Sequence, residues 1–172
     1  MIRKHKRYSR PRKAFDIIRI DEENKLVAKY GLKSKREIWK ANSRISEIRN
    51  QAKNLITASQ EEQEALISKL NKIGLNVSQI PDILALKKED WLKRRLQSVV
   101  VDKDLAKTPK AARQLIAHKH IAINGNIVNI PSYVVPVDEE NEITLVRMKT
   151  IEMHKKGKKV KVNKSRGETN GK

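Results

Sequence analysis

Residues 108–128 read TPKAARQLIAHKHIAINGNIV. Thr108 followed by Pro109 is an N-cap with proline at the first helical position, a strong helix start. The helix this predicts runs to about His118, with Ala112, Leu115 and Ile116 on its inner face and Lys110, Arg113 and Gln114 pointing elsewhere. Ile121-Ala-Ile123, Asn124-Gly125 and Asn126-Ile127-Val128 then read as strand, two-residue type I′ turn and strand. A helical pattern that gives way directly to a hairpin points to an α+β fold.

The same reading extends to both sides. Pro131 and Pro136 bracket a loop around Tyr133, and residues 143–146 predict one more strand. Upstream, residues 89–100 predict a single helix with Leu92, Leu96 and Val99 on one face. Residues 94–150 are therefore expected to form a compact domain of two short helices leading into a small antiparallel sheet. Its acids, Asp138, Glu139, Glu140 and Glu142, crowd a late loop. If the two helices are antiparallel neighbours, Arg94, Arg95, Lys110, Arg113, His118 and Lys119 can share one positive surface.

Residues 14–93 read as a separate helical unit. Residues 16–30 predict a helix closed by Gly31 in the left-handed position. Ser34-Lys-Arg-Glu37 is a capping box that opens a long helix. Ile38, Ala41, Ile45, Ile48, Ala52 and Leu55 form its apolar seam, while Lys40, Arg44, Arg49 and Lys53 lie off it. Trp39, beside the seam, is expected to pack. Ser59-Gln-Glu-Glu62 is a second capping box, starting a helix through Leu66, Leu70 and Ile73 to Gly74, before a loop containing Pro81.

The 172 residues carry 39 Lys/Arg against 20 Asp/Glu, a formal charge of +19. Residues 1–13 hold Arg3, Lys4, Lys6, Arg7, Arg10, Arg12 and Lys13 with no acid. The far end, 151–172, is also basic, with Lys155, Lys156, Lys158 and Lys159 close together and too little apolar content to order alone. Two basic arms thus flank a nearly balanced body, a pattern that calls for a polyanionic partner. With no Cys, disulfides, thiol catalysis and Cys-ligated zinc are excluded. No apolar run reaches the roughly 18–20 residues that cross a bilayer, and the basic start lacks the apolar stretch of a signal peptide. A soluble, intracellular protein without membrane contact is expected.

At this point a family can be recognised. Arg94-Arg95-Leu96, then residues 108–118, Ile121-Ala-Ile-Asn124-Gly125, Ile127-Val128 and Pro131-Ser132-Tyr133 resemble the RNA-binding domain named after small-subunit ribosomal protein S four. The Arg-Arg-Leu-Gln form and the Pro-Ser-Tyr after the hairpin resemble the ribosomal family itself. Residues 31–40, GLKSKREIWK, are similar to its archaeal and eukaryotic branch. The likeness spans roughly residues 15–150. Two positions depart from the family pattern: Lys119 stands where Gly usually closes the second helix, and Asp102-Lys-Asp104 replaces a more basic, Gly-ended turn. A left-handed cap without Gly costs on the order of 1 kcal/mol.

The resemblance implies direct binding to small-subunit (16S-type) rRNA at a helical junction of its 5′ domain, nucleating early assembly. It also implies a position where messenger RNA (mRNA) enters the subunit, beside the S three and S five types of protein, with a part in translational accuracy, in the cytoplasm. Physically, RNA junctions are recognised by shape, phosphates and 2′-hydroxyls. Arg94, Arg95, Arg113 and Lys110 suit phosphate contacts, and the start of the helix at Thr108 offers free N–H groups. His118 and Asn124 suit a sugar or base edge, Gln114, Lys119, Arg44, Arg49 and Lys53 are further expected RNA contacts, and the two arms would thread between RNA helices. The domain also occurs attached to RNA-modifying enzymes and synthetases, but those need a catalytic domain that this chain lacks, and no nucleophile set or carboxylate pair is present. His118 and His120, with His154, lack the Cys or spaced carboxylate that would complete a metal site, so neither metal nor cofactor is expected. A ribosome-rescue factor would not need residues 14–93, and a generic nucleic-acid chaperone would not need so patterned a body.

Overall fold

The computed structural model describes residues 6–146. Its helical half opens with α1 (Ile17–Tyr30), whose N-cap Asp16 accepts the Arg19 N–H. Helix α2 (Lys35–Asn54) buries the expected seam of Ile38, Ala41, Ile45, Ile48 and Ala52. Helix α3 (Gln60–Ile73) follows. The region read as a Pro81 loop contains a short helix, α4 (Ile80–Ala85), with Pro81 in its first turn and the Asp82 carboxylate accepting the Ser78 and Gln79 N–H groups. Proline at a helix start loses no hydrogen bond, so it initiates rather than interrupts here.

The second half comprises α5 (Lys88–Lys93), α6 (Leu96–Asp102), α7 (Pro109–Ala117), β1 (Ile121–Ile123), β2 (Asn126–Ile127), a one-turn α8 (Val137–Glu140) and β3 (Ile143–Leu145). Among the described residues the sheet has three strands in the order β2-β1-β3, both pairings antiparallel. Asn124 and Gly125 take φ of 51° and 75°, both positive, as a type I′ turn requires, and Ile123 faces Asn126 across it. The α+β reading holds, with the sheet confined to the C-terminal half.

Two local expectations are corrected. Residues 89–100 are not one helix: the chain is extended at Arg95, which forms a bridge with Val134. The Leu96 N–H donates to the Tyr133 carbonyl at 2.7 Å, and the Val135 N–H donates to the Arg94 carbonyl at 3.1 Å. Tertiary partners for these backbone groups replace helical ones, and α5 and α6 separate. The capping boxes also fail to close. Ser34 and Ser59 precede their helices as expected, but neither side chain makes a cap hydrogen bond. Glu37 turns toward two arginines, and Gln63 braces the turn before α3 by donating to the Leu55 carbonyl at 2.9 Å.

The core falls into three apolar clusters. One joins α6, α7 and the sheet through Leu96, Ile116, Ile121 and Val135, all fully buried; each such side chain contributes about 1.5–3 kcal/mol. The other two lie in the helical half, one around Ile45, Leu70 and Ile83, the other around Tyr30, Ile38 and Leu92. Trp91 packs against both of the latter. The two halves meet at Gly31, whose φ is 59°. A Cβ there would lie 2.9 Å from Pro109 and 3.0 Å from the Gln97 amide. The end of α1 thus docks directly on the start of α7, an approach only glycine permits.

Candidate nucleic-acid interface

A groove of about 1010 Å³ runs along this junction. Helix α2 supplies Arg36, Lys40 and Arg44, spaced four apart and therefore on one helical face. The N-terminal arm adds Lys6 and Arg7 beside them, and the opposite wall carries Arg95, Arg113 and the Pro131-Ser132 loop. Glu37 and Glu47 are its only carboxylates among the described residues. Aromatic rings steady the walls. Tyr8 lies against Trp39 with centroids 6.2 Å apart, and the Arg44 guanidinium sits 5.8 Å from the Trp91 ring centre. Trp39 packs as expected, and its Nε1 donates to the buried Glu23 at 2.9 Å. A groove lined by these cations and flanked by aromatic rings has the chemistry that suits a polyanionic backbone.

Behind the groove an ionic knot joins the two halves. Arg95 donates to Glu37 Oε2 at 2.6 Å, and Arg113 donates to both Glu37 oxygens at 3.1 and 3.3 Å. Arg113 also donates to the Gln97 Oε1 at 3.2 Å. The Gln97 amide in turn donates to the carbonyls of Tyr30, Gly31 and Pro109 at 2.8–3.0 Å. Burial opposes ionisation of Glu37, but the hydrogen bonds and charges of Arg113 and Arg95 outweigh it and hold its carboxyl below the ordinary range.

Of the three arginines expected on one RNA-facing surface, two are engaged mainly inside the protein. Arg95 is 5% exposed and faces Glu37 rather than solvent. Arg94 points away from the groove, over Gly74, donating to the carbonyls of Ile73 and Val135 and pairing with Glu140 at 2.9 Å. Arg95 and Arg113 both line the groove, but Arg113, its side chain 26% exposed against 6% for Arg95, keeps the freer edge there. Desolvated guanidiniums need fixed acceptors, and Arg94 and Arg95 find them inside the protein. Tyr133 likewise packs against the core and donates its hydroxyl to Glu139 at 2.7 Å.

The remaining expected residues disperse. Lys6, Arg7 and Arg44 line the groove; Arg10, Arg12, Lys13 and Lys53 do not. Arg49 is half-buried and donates to the Leu86 carbonyl. Thr108 caps α7 by accepting the Ala111 N–H at 3.2 Å, with Lys110 exposed after it. Gln114 and His118 face a second recess, with Leu105, Lys107 and His120. The single positive surface expected to join His118 to Arg113 is therefore corrected: the two sit on different sides of α7. Lys119 takes a φ of 64°, the left-handed cap its position requires, and Asn124 is exposed in the hairpin turn. Arg3, Lys4, Lys155, Lys156, Lys158 and Lys159 lie outside the described residues, as does His154. Arg36 and Lys40 join the groove without having been expected there, although their four-residue spacing with Arg44 is visible in the sequence.

Comparison with known proteins places the chain among relatives. The S4 domain family matches residues 94–141. The chain is 45% identical over 148 residues to the small ribosomal subunit protein uS4 of Thermoplasma volcanium, covering 81% of this chain and 74% of that one. It is 45% identical over 146 residues to that of Methanococcus aeolicus, covering 81% and 82%. With that of Korarchaeum cryptofilum it shares 39% identity over 160 residues, covering 90% and 96%.

Proposed function

The chain belongs to the small ribosomal subunit protein uS4 family, and from that premise we propose that it is a structural, non-catalytic rRNA-binding protein of the small subunit. In this reading it binds 16S-type rRNA at a helical junction of the 5′ domain, early in assembly, in the cytoplasm. It lies where mRNA enters the subunit, next to the S three and S five types of protein, and supports translational accuracy. The observation that carries the reading is the groove of Arg36, Lys40, Arg44 and Arg113 between the two halves, in a chain whose relatives are named as ribosomal proteins.

The units divide the labour. Residues 14–93 and 94–150 act as two domains whose junction sets the register on RNA, while the basic ends at 1–13 and 151–172 add long-range affinity. Phosphates lie along the groove, against the α2 cations and the free edge of Arg113. Lys110, Lys53, Arg10, Arg12 and Lys13 offer further backbone contacts outside it, and Asn124 meets a sugar or base edge from the hairpin turn. Arg94, Arg95 and Arg49 shape the surface from behind.

A binding series with a 5′-domain transcript tests this. If about six to ten phosphates are neutralised, affinity falls about 10³–10⁵-fold between 50 and 200 mM salt. A flat salt response would reject the electrostatic account.

A further inference from the structure

The loop before α7 and the turn after it enclose a second recess, of about 640 Å³. Its floor is aliphatic: Ala106 is buried, and Leu105, Ala111 and Leu115 line it beside Ala106. Its rim is polar but carries one fixed cation, Lys107, beside Gln114, His118 and His120. The left-handed Lys119 sets the two histidines apart, with His120 N–H donating to the Leu115 carbonyl at 2.9 Å. Their rings are 6.5 Å apart and tilted by 35°.

We propose that this recess receives one unpaired nucleobase of the bound RNA. The proposal rests on the rRNA-binding reading above and names a contact within it. An aliphatic floor disfavours a phosphate, which would lose hydration against carbon and gain a single cation. A base has the opposite character, with an apolar face and a polar edge. Its face lies on Leu115 and Ala111; its edge meets the Gln114 amide, which both donates and accepts, and the two imidazoles. Lys107 takes the flanking phosphate. A paired base in an A-form helix cannot present its face, so the occupant is splayed from a loop or bulge.

Transcripts of the 5′-domain junction, each with one unpaired nucleotide made abasic, test this against the full chain and the double variant Gln114→Ala/His118→Ala. Neither side chain belongs to the buried core, and a thermal melt confirms that the variant folds. One abasic position should weaken wild-type binding by roughly 5- to 150-fold, the range for losing one good side-chain contact to a base edge. The same position should weaken the double variant far less. If every abasic transcript weakens both proteins equally, the recess holds no base and the proposal falls while the rRNA-binding reading stands. It falls in the same way if the variant changes only the salt slope. If the wild-type chain fails to bind the intact junction, both fall.

Discussion

Glu37, its side chain 15% exposed, is held between the guanidiniums of Arg95 and Arg113, and so ties α2 to α6 and α7. Its lowered pKa makes the tie depend on pH. A carboxyl depressed on folding adds stability that is fully present above its ordinary value of 4.5 and is lost as pH falls through the folded value. Wild-type stability should therefore drop on acidification below about pH 4.5, and Glu37→Gln should remove that component. At neutral pH, Glu37→Gln should cost about 3–5 kcal/mol, because it leaves a buried guanidinium without its counter-charge. Urea melts of both proteins across pH 3–7 read both effects; parallel pH curves would reject the tie. The roles of these arginines were not legible in the sequence. Glu37 lies 58 positions from Arg95 and 76 from Arg113, and no local pattern links residues that far apart.

At the scale of elements, α7 and the hairpin were readable because their signals are local. A Thr-Pro start and an Asn-Gly turn each fix backbone dihedrals within a few residues. The break between α5 and α6 was not, since the apolar spacing of Leu92, Leu96 and Val99 suits a continuous helix. What interrupts it is the segment around Tyr133–Val135, which supplies strand-like partners from far along the chain. The family departure at Lys119 has a measurable consequence. Its φ of 64° is strained for a side chain with a Cβ. Lys119→Gly should therefore raise stability by about 1 kcal/mol, as read by the urea midpoint at unchanged slope. A loss of stability would show that Lys119 makes compensating contacts that outweigh the strain.

At the scale of the molecule, the +19 charge indicates a polyanionic partner but not where it sits. The fold gathers part of that charge into one channel, where Arg36, Lys40 and Arg44 on α2 face Arg113 on α7. No helix of the described residues is long and apolar enough to cross a membrane. The four-residue spacing of the three α2 cations is visible in the sequence, but not that this face turns to the second half, which is decided by long-range contacts such as those of Glu37 with Arg95 and Arg113. The most direct test of the central claim compares Arg36→Ala/Lys40→Ala/Arg44→Ala with a charge-matched control, Lys25→Ala/Lys69→Ala/Lys72→Ala, in salt titrations of binding to the 5′-domain rRNA transcript. The groove variant should bind at least about tenfold more weakly and lose about three units of salt slope, one for each phosphate contact, while the control stays near wild type. Equal losses from the two triple variants would show that net charge alone drives binding and that the groove is not the interface.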